Sequence, residues 1–262
     1  MNILEAIKTR RSVRSYNGEA LSESLKESLN KAIDESFSPF GGNVSIRLKE
    51  FDMRKGYKPS TYGVIKGASD FFLIAMGDDE ASALSAGFRF EQVVLKATEL
   101  GLGTCWIAAT FKGSDFERGD SWRAGEELRV ISPVGFASNQ RLIEKITRMT
   151  FGSSKRKPFA ELFYTDNFKR PAEENGRFGE SLEMMRLAPS STNSQPWRVL
   201  VDGDIVHFYY KPQSKLSVLD CGIGLCHFYV TEAYKGNAGT FHKYENAPAA
   251  PENWKYLYSY RI

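Results

Sequence analysis

Cysteine and histidine are scarce in this chain, which has three of each in 262 residues. Cys105, Cys221 and Cys226 are odd in number, so they do not form a closed disulfide framework. Cys221 and Cys226 are five apart with no Cys/His set beside them, which argues against a zinc site; no metal is expected. All three read as reduced thiols of a cytoplasmic protein. His207, His227 and His242 form no constellation with a nucleophile, and each reads as a packing or surface histidine. Charge of one sign is also lacking: 35 basic residues face 32 acidic ones, and the basic residues are scattered rather than striped. That balance excludes an obvious nucleic-acid surface. No hydrophobic run is long enough to span a bilayer, and the opening Met1 to Arg11 lacks the apolar core of a secretory signal.

What is present is the composition of a soluble globular protein, 42% apolar and 26% charged, with enough chain for a sizeable core. A pI near 8.6 favours anionic small molecules. The most distinctive stretch is Leu187 to Trp197, L-A-P-S-S-T-N-S-Q-P-W. Pro189 and Pro196 stop a helix there, and Ser190, Ser191, Thr192, Asn193 and Gln195 offer short polar groups between them. The stretch suits either an ordered helix-to-strand connection or the polar edge of a planar ligand's site.

The pattern along the chain predicts helices over Asn2 to Thr9 and Ser22 to Ser36, with Asn2 and Ser22 as caps. Strands are expected at Val44 to Phe51 and Phe71 to Met76, with a surface loop between them over Asp52 to Tyr62. A largely buried helix over Ser85 to Leu100 should end at a left-handed Gly101. A strand over Val130 to Phe136 should be broken by Pro133, and Phe151 to Phe178 should be a long, partly irregular connection. Then follow a helix over Ser181 to Leu187, a hairpin turning at Asp202 to Asp204, a helix over Asp220 to Gly236 and a terminal strand from Tyr256.

Two further signals stand out. Arg10, Ser12 and Arg14 alternate, so on an extended segment their side chains point one way and suit a phosphate; a solvated basic turn is the bland alternative. Gly87 and Gly101 bracket an apolar helix at the same spacing as Gly222 and Gly236, with a common offset of 135 residues. A loop and a strand precede each helix, as expected of a tandem half-repeat.

Taken together, these stretches resemble the flavin-dependent nitroreductase superfamily. R-R-S-V-R at 10–14 is similar to its phosphate motif, and A-P-S-S-T-N-S-Q-P-W at 188–197 to its isoalloxazine-side loop. E-L-G-L-G-T-C-W-I at 99–107, S-P-V-G-F at 132–136 and K-R-K-P at 155–158 resemble its helix end, last core strand and second basic segment. The order differs from the family's, because the polar loop comes late. Family members are usually homodimers with the flavin at the interface, so the resemblance implies both partners fused in one chain, residues 1–158 and 159–262. It implies an α+β fold with a mixed, mainly antiparallel sheet wrapped by helices, in two related halves. It implies one FMN per chain, bound by Arg10, Arg11, Ser12, Arg14, Arg156 and Lys157 on the phosphate side and Pro189, Ser190, Ser191, Asn193 and Gln195 on the ring side. The backbone of Ile107, Ala108 and Ala109 would lie near the reactive ring edge, and no side chain is expected to be catalytic. The implied activity is a ping-pong transfer of hydride from NAD(P)H to a nitroaromatic, quinone or related electron acceptor, by a monomeric pseudo-dimer. Non-catalytic FMN storage, reductive dehalogenation and flavin breakdown are the rival readings.

Overall fold

A computed structural model describes residues 1–51, 59–138 and 155–262. The expectations for Asp52 to Lys58 and for 139–154 lie outside these residues. The first helix, α1 (Ile3–Thr9), starts with a capping box: the Asn2 side chain accepts from the Glu5 N–H, and the Glu5 carboxylate accepts from the Asn2 N–H. α2 (Glu23–Glu35) is capped by Ser22, as its sequence signals. Then come β1 (Val44–Glu50), β2 (Asp70–Met76), α3 (Glu80–Glu99), β3 (Gly103–Thr104), α4 (Gly113–Phe116) and β4 (Glu127–Gly135). The second part holds α5 (Phe159–Leu162), β5 (Phe163–Thr165), β6 (Asn167–Pro171), α6 (Gly179–Arg186), β7 (Trp197–Asp202), β8 (Ile205–Tyr210), α7 (Ser217–Tyr234), β9 (Thr240–His242) and β10 (Lys255–Arg261).

These strands form two sheets rather than one. The first has the order β1-β2-β4-β3, and the second contains β7-β8-β10-β9, with the same antiparallel pairing at every step. In each half a long helix follows the second strand, α3 after β2 and α7 after β8. The chain is therefore an α+β fold of two related halves. The second sheet is extended by β5, which runs parallel to β7, and by β6 beyond it.

The halves meet through α3 and α7. Both carry buried residues around most of their circumference, the pattern of helices with protein on every side. Gly87 and Gly222 let the two backbones touch, since a methyl group on either would strike the opposite helix. The main apolar cluster is continuous across this contact, joining Phe72, Phe88 and Val94 to Trp197, Phe208 and Phe228. Among the described residues no helix is long and apolar enough to cross a membrane.

Three expectations need correction. The helix forecast from Ser85 begins at Glu80, because Asp79 accepts from the Ser82 N–H and adds a first turn that apolar periodicity does not reveal. Pro133 does not break β4. Ile131 donates its N–H toward Ile107, so the N–H that Pro133 lacks would point to the same side, where the ladder between Thr104·Val134 and Ile107·Ile131 is already interrupted. The connection forecast from Phe151 contains α5, β5 and β6, and the short strands are held by sheet pairing rather than by local pattern.

Candidate functional site

The loop between α6 and β7 is held in a strained shape. Thr192, Asn193 and Gln195 take positive φ angles of 50°, 56° and 48°, a region costly for residues with a side chain. From below, Asp220 of α7 accepts from the Ser191 N–H at 3.0 Å and from the Ser194 hydroxyl at 3.4 Å. Inside the loop, Ser190 Oγ accepts from the Gln195 N–H at 3.0 Å, and Asn193 donates its N–H to the Ser190 carbonyl. Burial pushes the Asp220 carboxyl up to about 7, against the opposing effect of the bonds it accepts from Ser191 and Ser194.

The first half repeats this arrangement. Ser38 and Gly41 lie six and three residues before β1, as Ser191 and Ser194 lie before β7. Ser85, the α3 counterpart of Asp220 at the 135-residue offset, hydrogen-bonds Ser38 Oγ at 2.7 Å and donates to the Gly41 carbonyl. The half-repeat therefore extends from strand order down to individual loop contacts.

Residues 155–157 close over the second-half loop. Asn193 donates to the Lys155 carbonyl at 2.6 Å and accepts from the Arg156 guanidinium. Arg156 also donates to the Leu187 carbonyl at 2.8 Å. Gln195 is almost fully buried: its Oε1 accepts from the Lys157 N–H at 2.8 Å, and its Nε2 donates to Asn193 O and Oδ1, both at 3.1 Å. Lys157 donates its ammonium to the Ser194 carbonyl at 2.7 Å. The loop and the second basic segment, far apart in sequence, are thus one structure.

Arg10 arrives from the end of α1. Its Nε is buried with no hydrogen-bond partner, 3.9 Å from the Glu91 carboxylate. Burial and the positive charges of Arg10 and Arg186 push Arg156 down to about 10, which places both of those guanidinium groups within electrostatic reach of Arg156. Ser12 bridges to Thr104, setting residues 10–14 alongside β3. The Cys105 thiol is raised by burial and opposed by Arg14, the Ser12 hydroxyl and Arg10, so those groups share its neighbourhood. Arg11 is exposed.

The structure brings Arg10, Arg156, Lys157, Asn193 and Gln195 together, with Pro189, Ser190 and Ser191 on the same loop. Two assignments fit it poorly. Gln195 and Asn193 spend their amides on the chain itself, so neither offers an uncommitted edge to a planar ligand. Ile107 exchanges both backbone hydrogen bonds with Ile131, which leaves Ala108 and Ala109 as the unbridged part of that trio. Asp220 and Arg186 belong to the site but were not singled out from sequence. An acid beginning a helix was visible at Asp220, whereas nothing local marks Arg186, which donates to the Lys157 carbonyl from α6.

Two sheets, largely antiparallel, about a central helix pair, with arginines gathered against a polar Pro-bounded loop, define an α+β protein of two related halves. The sequence model of one family, described as "Putative TM nitroreductase", matches residues 2–232. The chain belongs to that family. Its fold is similar to that of a "putative nitroreductase" from Thermotoga maritima MSB8, with 22% identity, a TM-score of 0.65 and coverage of 100% of this chain and 94% of that one. A nitroreductase family protein from Clostridium difficile 630 matches 62% of this chain and 96% of its own, at 19% identity and a TM-score of 0.46. A nitroreductase with bound FMN from Bacteroides fragilis NCTC 9343 matches 54% of this chain and 91% of its own, at 15% identity and a TM-score of 0.44. No curated protein matches the chain.

Proposed function

We propose that this chain is an FMN-dependent oxidoreductase that uses NAD(P)H to reduce nitroaromatic, quinone or related electrophilic small molecules. The observation that carries the reading is the convergence of Arg10 and Arg156. Arg10 is almost fully buried, and Arg156 is partly desolvated and repelled by its neighbours. A phosphate dianion would relieve the repulsion between these cations, so the donor set fits that end of FMN. Arg14 and Ser12, beside Cys105, extend the same positive surface.

Bound flavin would supply the hydride-accepting and hydride-donating centre, which is why no protein nucleophile is needed. The protein's part is to hold and orient. Arg10, Ser12, Arg14 and Arg156 neutralise the phosphate, while Asp220 and Ser190 fix the loop from Pro189 to Gln195. To receive the pyrimidine edge, Asn193 and Gln195 must exchange their bonds to residues 155–157 for bonds to the ligand. In this reading the halves divide after residue 158, one FMN binds per chain, and the monomer is a complete pseudo-dimer.

The second reading is an FMN-binding protein without turnover, which needs the same phosphate site but no access for a second substrate. Absorbance of the purified protein separates the two. A yellow protein with one flavin per chain that NAD(P)H bleaches supports the reductase, and ping-pong kinetics should follow. A yellow protein inert to NAD(P)H supports the binder. A colourless protein that refuses added FMN overturns both.

A further inference from the structure

A buried carboxylate at the junction of the two halves has no part in the reading above. Glu91 of α3 is completely buried, a costly place for a charge unless it is paired. Three other segments converge on it. His227 of α7 places Nε2 at 2.9 Å from Oε1, Trp106 donates its indole N–H to Oε2 at 2.8 Å, and Arg10 Nε lies 3.9 Å from Oε1. His227 is itself completely buried, and its Nδ1 lies 2.9 Å from the Met184 carbonyl oxygen.

A carbonyl oxygen only accepts, so Nδ1 must carry a hydrogen. Nε2 faces a carboxylate oxygen, so a second proton lies between the histidine and Glu91. The Trp106 N–H occupies the second carboxylate oxygen, so both oxygens of Glu91 are engaged and Arg10 faces the same group from the first half. Glu91 thus links His227 of the second half to Arg10 of the first.

We propose that Glu91, braced by His227, is the positioning residue for Arg10 and holds its guanidinium where the phosphate of a bound nucleotide meets it. The proposal rests on the phosphate reading of Arg10. It adds that anion affinity depends on a contact made from the second half, through α7, to an arginine of the first. Glu91 touches no ligand, so it acts only through Arg10.

FMN binding to the purified full chain, followed by flavin fluorescence quenching, tests this with a double-mutant cycle of Glu91→Gln and Arg10→Ala. Arg10→Ala should weaken binding, Glu91→Gln should weaken it about tenfold, and Glu91→Gln in the Arg10→Ala background should change it little. If Arg10→Ala weakens binding and Glu91→Gln either has no effect or adds its full effect to it, the positioning role is overturned while the phosphate assignment stands. If Arg10→Ala leaves FMN binding unchanged, both fall. Nitrogen NMR of the His227 ring in the unmodified protein gives a measurement that needs no variant to fold. A proton hydrogen-bonded between Nε2 and Glu91 supports the arrangement, and an Nε2 with no hydrogen bond overturns it.

Discussion

Gly87 and Gly222 face each other across the α3–α7 contact in matching environments. A methyl group on Gly87 would lie 2.1 Å from the Leu219 carbonyl oxygen, and one on Gly222 would lie 2.1 Å from the Leu84 carbonyl oxygen. Leu84 and Leu219 are themselves separated by the offset that relates the two glycines. The near-equality of the two clashes is what a two-fold relation between the halves requires.

Alanine at either glycine should therefore force the helices apart. Gly87→Ala and Gly222→Ala should each destabilise the protein by about 2–4 kcal/mol, since the atom struck is backbone and cannot rotate away. The double variant should cost less than the sum, because the first displacement already makes room for the second methyl. Urea denaturation of the three variants checks both points.

Asp220 predicts a pH dependence with a definite sign. Its folded value, about 7, lies above the ordinary carboxyl value of 3.8. The folded protein therefore holds a proton that the unfolded chain has released, and stability falls as pH rises from about 4 to about 7 and is flat above. Asp220→Asn keeps acceptors and donors for Ser191 and Ser194 but cannot ionise. It should flatten this slope and be about 1–3 kcal/mol more stable than the parent at pH 8, measured by denaturation across that range. An unchanged slope in the variant would assign the dependence to another group.

Thr192 is the exposed member of the left-handed trio in the loop, and among the described residues its hydroxyl bonds the neighbouring Ser191 carbonyl. Thr192→Gly should stabilise the fold by about 1 kcal/mol, because a β-branched residue at positive φ gives up more there than glycine loses in chain entropy. Thermal unfolding should show a higher midpoint.

Arg156→Gln removes a charge-assisted donor to the proposed phosphate site and should lower FMN affinity by about 10- to 100-fold. The salt dependence of binding should weaken with it. Arg156→Lys should not restore affinity, since an ammonium cannot serve Asn193 and Leu187 while meeting the ligand as the planar fork does. Titration at two ionic strengths is the measurement.

Much of this was legible in the chain. The caps at Asn2 and Ser22, the helix ending at Gly101 and the strands flanking Asp202 to Asp204 follow from local chemistry, which sequence displays directly. The glycine offset announced the repeat because close helix approach leaves a residue-level mark. β5 and β6 were missed because such short strands depend on the neighbour they join, not on their own periodicity. The site was half legible. Arg10 and Gln195 could be named from their motifs. The saturation of Gln195 by the Lys157 N–H could not, because it depends on how residues 38 positions apart dock.

The docking of α3 on α7 also sets a condition on how this protein is made. The two helices lie 135 residues apart at their closest point, Gly87 to Gly222. At about 5–20 residues per second, α3 leaves the ribosome about 7–27 seconds before its partner exists. Throughout that interval an apolar surface meant for another helix faces solvent, and only a long-range closure removes it. Nascent chains halted between the two helices should be the most dependent on chaperones, even though the finished protein buries that surface entirely.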